Sequence, residues 1–121
     1  MSYHLAVWEG PRPVDDNAAQ AVFARLRTEY SGGRRRIRAS PLIQQYISQL
    51  LARWPDLGSD AEDDEDDIPW SDGPLIDNAS GPLFYFGVVY SKYEEATEFA
   101  VDRARALGLV CFDPQTGRLA P

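Results

Sequence analysis

The sequence has 121 residues, of which 44% are hydrophobic, and its formal net charge is −7 at pH 7. This length predicts one domain, residues 1–121, with a real hydrophobic core and no room for separate catalytic and cofactor domains. The single cysteine, Cys111, and the single histidine, His4, exclude an internal disulfide, a cysteine-rich zinc site and most metal or triad chemistry. We therefore expect neither a metal nor a cofactor.

The charge is distributed unevenly along the chain. Residues 1–53 carry eight arginines and four acids, residues 54–91 carry ten acids and no base, and residues 92–121 carry four bases and five acids. This excess of acid in the middle predicts a local negative patch and disfavours nucleic acid as a partner. The sequence has neither a signal peptide nor an apolar run long enough to span a membrane, so we expect a cytoplasmic protein without membrane contact.

The first predicted element is a strand over Ser2–Trp8, and its apolar residues on both faces indicate a central position in a sheet. A helix is predicted next, from Asp15 or Asp16 to Tyr30, because apolar residues recur at helical spacing. A cluster of arginines follows in a predicted loop, and it consists of Arg34, Arg35, Arg36 and Arg38. Pairing with acids or plain exposure is favoured over a nucleic-acid site, since no aromatic residue lies within the cluster.

The second helix has the clearest pattern. Ser40 is a suitable N-cap, Pro41 suits the first helical position, and Pro55 ends the helix. Its apolar stripe consists of Leu42, Ile43, Tyr46, Ile47, Leu50, Leu51 and Trp54. A mobile acidic loop is predicted over residues 56–73. Within it, the acidic run over residues 60–67 has seven acids in eight positions: Asp60, Glu62, Asp63, Asp64, Glu65, Asp66 and Asp67.

Beyond the acidic loop, a short edge strand is predicted over Pro74–Asp77 and turn residues follow over 78–81. The apolar run Leu83–Tyr90 has strong strand propensity. Ser91 and Glu94 have the spacing of a capping box, which predicts the start of a third helix.

The third helix is predicted to end at Gly108, and the last long strand covers Leu109–Asp113. A turn and a short return over Arg118–Pro121 complete the chain. The resulting order, β-α-α-β-β-α-β, predicts an α+β fold, namely a ferredoxin-like split β-α-β sandwich with an extra helix. Right-handed crossovers place the first strand between the third and fourth, with all helices on one sheet face and the other face open.

Cys111 and His4 form the one pair with thiol–imidazole chemistry. A nucleophilic cysteine needs a lowered pKa, partial exposure and an oxyanion site. No glycine-rich turn or helix N-terminus adjoins Cys111, and a cysteine in an apolar strand is usually a core residue. We therefore expect no catalytic residues and no enzymatic activity.

The acidic loop does not fit a calcium-binding pattern, since no glycine and glutamate stand at the required positions. It is either a solvated loop or a surface that recognises a basic protein. Trp70 favours recognition, because a large aromatic beside clustered charge is typical of an interface hot spot, although the ring can equally pack back over the domain. The predicted partner-binding residues are Asp63, Asp64, Glu65, Asp66, Asp67, Trp70 and Asp72.

Both ends of the sequence resemble a family of small bacterial proteins. The matching stretches are the first eight residues, MSYHLAVW, the ending GLVCFDPQ over residues 108–115, and Tyr90-Ser91 followed by Glu94-Glu95-Ala96. Such proteins resemble the small acidic immunity proteins that accompany secreted bacterial toxins. The resemblance implies no active site that is transferable to this chain.

These observations predict a non-enzymatic protein-binding domain, and the resemblance implies an immunity protein that neutralises a basic toxin domain by occlusion. The acidic loop would steer the partner, and Trp70 with the open sheet face would supply the buried contact. Two alternatives remain open at this point. One is a small enzyme that uses Cys111 and His4, and the other is a homodimeric structural protein whose sheet faces pack together.

Overall fold

A computed structural model of the protein describes residues 2–30, 37–56, 68–71 and 73–120. Within these ranges the chain forms five strands and three helices, so the protein is α+β as predicted. The arginines at 34–36, the acidic run and Asp72 lie outside the described residues.

The sheet is antiparallel throughout, with the strand order β2-β3-β1-β4-β5. Its strands are β1 (Ser2–Trp8), β2 (Ala79–Ser80), β3 (Leu83–Val89), β4 (Val110–Asp113) and β5 (Arg118–Leu119). The strand β1 pairs with β3 along its whole length, from Ser2 opposite Val89 to Trp8 opposite Leu83. It pairs with β4 only from Ala6 to Trp8. The predicted position of the first strand between the third and fourth is therefore confirmed.

Local sequence signals set the starts of the first two helices, α1 (Asp16–Tyr30) and α2 (Pro41–Arg53). The Asp15 carboxylate accepts the backbone N–H of Ala18 at 2.8 Å, which satisfies a free donor of the first turn. The Ser40 hydroxyl accepts the N–H of Ile43 at 3.2 Å in the same way.

Two predicted boundaries are wrong. The third helix, α3 (Tyr93–Ala106), begins after a 3₁₀ turn over Tyr90–Lys92, so Lys92 rather than Ser91 occupies the cap position and no capping box forms. The predicted edge strand over Pro74–Asp77 is also wrong, because a 3₁₀ turn covers Leu75–Asn78. The strand follows within the predicted turn, where Ala79 and Ser80 pair with β3.

The larger core lies between the sheet and the helices α2 and α3. The strand β1 contributes Leu5 and Val7, whose side chains share one face because residues alternate along a strand. The helix α2 contributes its predicted apolar stripe, and its C-cap residue Trp54, which is 8% exposed, extends that stripe. The helix α3 contributes alanines at three helical positions, Ala96, Ala100 and Ala104. Small residues let α3 lie close to the sheet.

The smaller core lies on the opposite face of the sheet, and α1 covers it. Ala6 and Trp8 of β1 pack there with Phe23 of α1 and Phe112 of β4. The prediction that all helices share one sheet face is therefore wrong. The physical reason is that β1 is apolar on both faces, and each face needs a cover to remove it from water. The extra helix supplies the second cover, so the sheet has no open face for a second copy of the chain in this region.

The covering role of α1 predicts that Phe23→Ala lowers the free energy of unfolding by about 3–5 kcal/mol. Phe23 is 4% exposed, and its ring centroid lies 5.5 Å from that of Phe112. Urea denaturation of the variant measures this loss. Gln20→Ala, an exposed substitution on the same helix, is the control and should stay within about 0.5 kcal/mol of the wild type. A Phe23→Ala variant as stable as that control would contradict the packing of α1 on the sheet.

Candidate functional site

Cys111 and His4 lie on opposite faces of the sheet. Cys111 is 4% exposed in the larger core. The His4 ring lies on the other face, where it stacks on Tyr85 with centroids 5.3 Å apart. Burial, together with the charge of Asp113, raises the pKa of the Cys111 thiol to about 12. The thiol stays protonated near neutral pH and has no imidazole beside it, so this arrangement does not favour the thiol–imidazole enzyme.

The pKa of Cys111 predicts a loss of stability in alkaline solution. Burial raises this pKa from 9.0 to about 12 in the folded protein, so the unfolded chain releases the proton first as the pH rises. The contribution of the protonated thiol to stability is complete below about pH 9 and is lost toward pH 12. Over this range the free energy of unfolding falls by up to about 1.4 kcal/mol per pH unit. Urea denaturation between pH 8.5 and 10.5 should give a shallower decline for Cys111→Ala than for the wild type. Equal slopes would show that the thiol is accessible to water.

A serine hydroxyl, rather than the thiol, lies near the imidazole. Gly87 has no side chain, and the position that a Cβ atom would occupy there lies 3.0 Å from His4 Nε2 and 3.1 Å from Ser71 Oγ. The imidazole and the hydroxyl therefore approach the same point above the glycine. A catalytic serine needs a base within hydrogen-bond reach. Ser71 Oγ is buried and has no hydrogen-bond partner in the described part of the chain. The pair therefore lacks the contact that would activate a nucleophile.

Trp70 is a core residue. It is 1% exposed, its ring meets the rings of Trp54 and Phe86 edge to face, and its indole N–H donates to the backbone carbonyl of Trp54 at 3.3 Å. The role of Trp70 as an anchor for a partner is therefore corrected, because a side chain enclosed by the domain presents no surface. The alternative that the ring packs back over the domain is the one that the structure supports.

The burial of Trp70 predicts that Trp70→Ala lowers the free energy of unfolding by about 3–5 kcal/mol. Trp70→Phe keeps an aromatic ring in the core but loses the hydrogen bond to Trp54, so it should cost clearly less. Chemical denaturation of both variants measures the difference. If the unfolding midpoint of Trp70→Ala equalled the wild-type value, the Trp70 side chain would not be buried in the core.

The acidic run and Asp72 lie outside the described residues, but the chain on either side of the run is held in place. Before the run, the Asp56 carboxylate accepts the N–H of Leu75 at 2.9 Å. After the run, the Pro69 carbonyl accepts the N–H of Val89 at 2.7 Å, and Ser71 donates its N–H to the Gly87 carbonyl at 3.0 Å. Residues 69–71 of the predicted mobile loop thus extend the edge of the sheet beside β3.

Three tyrosines form a cluster where β3 leads into α3. We name Tyr3, Tyr90 and Tyr93 the tyrosine cluster. The rings of Tyr3 and Tyr93 stack with centroids 5.1 Å apart, and Tyr90 meets both edge to face at 6.2 and 6.0 Å. Tyr90 is 44% exposed, the only aromatic among the large hydrophobic residues exposed in the described chain. The sequence does not predict this cluster, because Tyr3 joins the other two only through pairing of β1 with β3.

Polar contacts fix the base of the tyrosine cluster. The Tyr3 hydroxyl donates a hydrogen bond to the Asp113 carboxylate, which also accepts the backbone N–H of Gln115 at 2.9 Å. The Gln115 side chain pairs with β1: its Oε1 accepts the N–H of His4 at 2.6 Å, and its Nε2 donates to the His4 carbonyl at 2.7 Å. This amide takes the place of a neighbouring strand where the pairing of β1 with β4 has ended.

A shallow groove of about 470 Å³ lies between the end of α2 and the outer side of α3. Trp54 and Phe99 contribute apolar surface to it, and Glu98 lines it. Arg53 bonds to Glu95 at 2.8 Å, while its guanidinium lies 4.2 Å from the centroid of the Trp54 ring. This exposed ion pair contributes little to stability, but it places an arginine over an aromatic ring.

Among the described residues, no group of three or more histidine, cysteine, aspartate or glutamate side chains could hold a metal ion. No helix in the same ranges is long and apolar enough to cross a membrane. Comparison of the chain with protein-family models, curated proteins and solved structures gives no match.

Proposed function

We propose that the protein is a non-enzymatic binding protein, an immunity protein that neutralises a basic bacterial toxin domain by occluding it. The observation that carries the proposal is the fixed position of both ends of the acidic loop. Asp56 is bonded to Leu75, and Pro69 is bonded to Val89, so the chain that bears the acidic run starts and returns at defined points of the fold. Seven clustered carboxylates attract a basic surface and speed its diffusional encounter.

Negative charge continues on the folded surface near the start of the acidic loop. The described chain before the acidic run ends at Asp56, two residues after Trp54, whose ring lies 5.5 Å from that of Phe99 on α3. The helix α3 exposes Glu94 and Glu98 to solvent, together with Glu95, whose carboxylate is paired with Arg53. Carboxylates from two parts of the chain would therefore act on the same partner. A toxin that cleaves nucleic acid has a basic substrate groove, which fits this distribution of charge.

We further propose that the domain is a variant of the ferredoxin-like fold. The strand order β2-β3-β1-β4 and the antiparallel pairing agree with a split β-α-β sandwich in which α2 and α3 are the two crossover helices. In this interpretation α1 is the added helix and β5 an added edge strand. The homodimer alternative depended on an open sheet face and loses that support, because α1 packs there.

The proposed steering predicts that neutralising the acidic run slows association with a basic toxin domain. Replacing Asp63, Asp64, Glu65, Asp66 and Asp67 by Asn or Gln should reduce the association rate far more than it raises the dissociation rate. The difference should shrink as salt rises, because exposed charges are screened over about 8 Å at physiological ionic strength. Stability should stay the same or rise slightly, since clustered like charges repel. Stopped-flow binding at two salt concentrations measures both rate effects.

A matched control separates local charge from net charge. Asp64→Lys and Glu29→Lys change the net charge of the protein equally, but Glu29 lies on α1, far along the chain from the acidic run. Asp64→Lys should slow association more strongly than Glu29→Lys. Equal effects of the two substitutions, or an association rate indifferent to salt, would contradict steering by the acidic run.

A further inference from the structure

We propose that the tyrosine cluster is the anchor of the binding surface and that it receives an arginine side chain of the partner over the exposed ring of Tyr90. This inference rests on the proposed function, since it names the contact through which a basic protein would bind. Tyr90 takes the anchoring role that the sequence predicts for Trp70, because solvent reaches the Tyr90 ring whereas the core encloses the Trp70 ring.

The position of Tyr90 connects the cluster to the acidic loop. Val89, the residue before Tyr90, donates its N–H to the Pro69 carbonyl. Pro69 follows Asp67, the last acid of the run, by two positions in the sequence. A partner that is attracted by the carboxylates therefore meets the tyrosine cluster where the loop rejoins the sheet. Charge attraction and the aromatic anchor would act on the same basic surface.

The chemistry of the cluster favours arginine as the occupant. The face of an aromatic ring attracts a cation, and the planar guanidinium of arginine stacks on such a face better than the compact ammonium of lysine. Among the described residues, arginines already lie over aromatic rings, and Arg27 lies over Phe23 as well as over Tyr85. Arg27 lies 4.9 Å from the ring centroid of Tyr85, and Arg53 lies 4.2 Å from that of Trp54.

Contacts within the protein hold the cluster together without a partner, which lowers the entropic cost of binding. Tyr3 is stacked on Tyr93 and bonded through its hydroxyl to Asp113, while Tyr90 rests on both rings. Burial, with the bond and charge of Asp113, raises the pKa of Tyr3 to about 12. The phenol is therefore neutral across the pH range in which the protein would bind its partner.

The test uses the full chain, with a hexa-arginine peptide and a hexalysine peptide as probes, in calorimetric and NMR titrations at 150 mM salt. Tyr90→Leu, which keeps apolar area but removes the aromatic face, should weaken hexa-arginine binding about fivefold. Tyr90→Phe should stay within about twofold of the wild type. Ile76→Ala is the matched control, because Ile76 has the same 44% exposure as Tyr90 but is not aromatic. Thermal denaturation of each variant checks that the fold is intact.

The outcomes separate this inference from the proposed function. Equal affinities of Tyr90→Leu and the wild type for hexa-arginine would overturn the arginine anchor. If neutralising the acidic run still slowed association with the toxin domain, the proposed function would survive that result. Loss of affinity with Tyr90→Leu, shifts of the Tyr90 and Tyr93 ring resonances, and weaker binding of hexalysine would together support the anchor. Equal affinities for hexalysine and hexa-arginine, both unaffected by Tyr90→Leu, would show that binding rests on general charge attraction. That result would overturn the proposal.

Discussion

The pairing of β1 with β3 is the interaction on which the rest of the structure depends. These strands are joined along seven residues, from Ser2 opposite Val89 to Trp8 opposite Leu83. Because β1 is buried on both faces, its register decides which side chains enter each of the two cores. A shift by one residue would move Leu5 and Val7 toward α1 and Ala6 and Trp8 toward α2 and α3. The same pairing brings Tyr3 beside Tyr90, so the candidate binding surface depends on it as well.

Most of the fold could be predicted from local patterns, and the errors have identifiable physical causes. Ser40, Pro41 and the following apolar stripe specify α2 through interactions within a few residues, so its position was predictable. The placement of α1 was not, because its apolar stripe shows that one side is buried without showing against which sheet face. Apolar residues on both faces of β1 are expected of any central strand as well as of a sheet covered on both faces, so they do not by themselves place α1.

The candidate site was less predictable than the fold. Trp70 stands beside clustered acids in the sequence, and that composition is typical of an interface, yet the pairing of residues 69–71 with β3 turns the ring into the core. Tyr90 carries no such signal, since it ends an apolar strand and could equally have been buried. Trp70 is buried and Tyr90 is exposed because of contacts between distant parts of the chain. Neither the periodicity nor the composition of the sequence contains those contacts.

The amide of Gln115 has a consequence for how any partner can be recognised. By bonding to both backbone groups of His4, it closes the edge of β1 that β4 leaves unpaired. Elsewhere Asp16 accepts the N–H of Leu119 at the β5 edge, and residues 69–71 fill the edge of β3 beyond β2. These backbone groups are already bonded within the protein, which disfavours the addition of a partner strand at these points. Recognition at these points then depends on side chains, and its selectivity is open to change by single substitutions that leave the backbone framework intact.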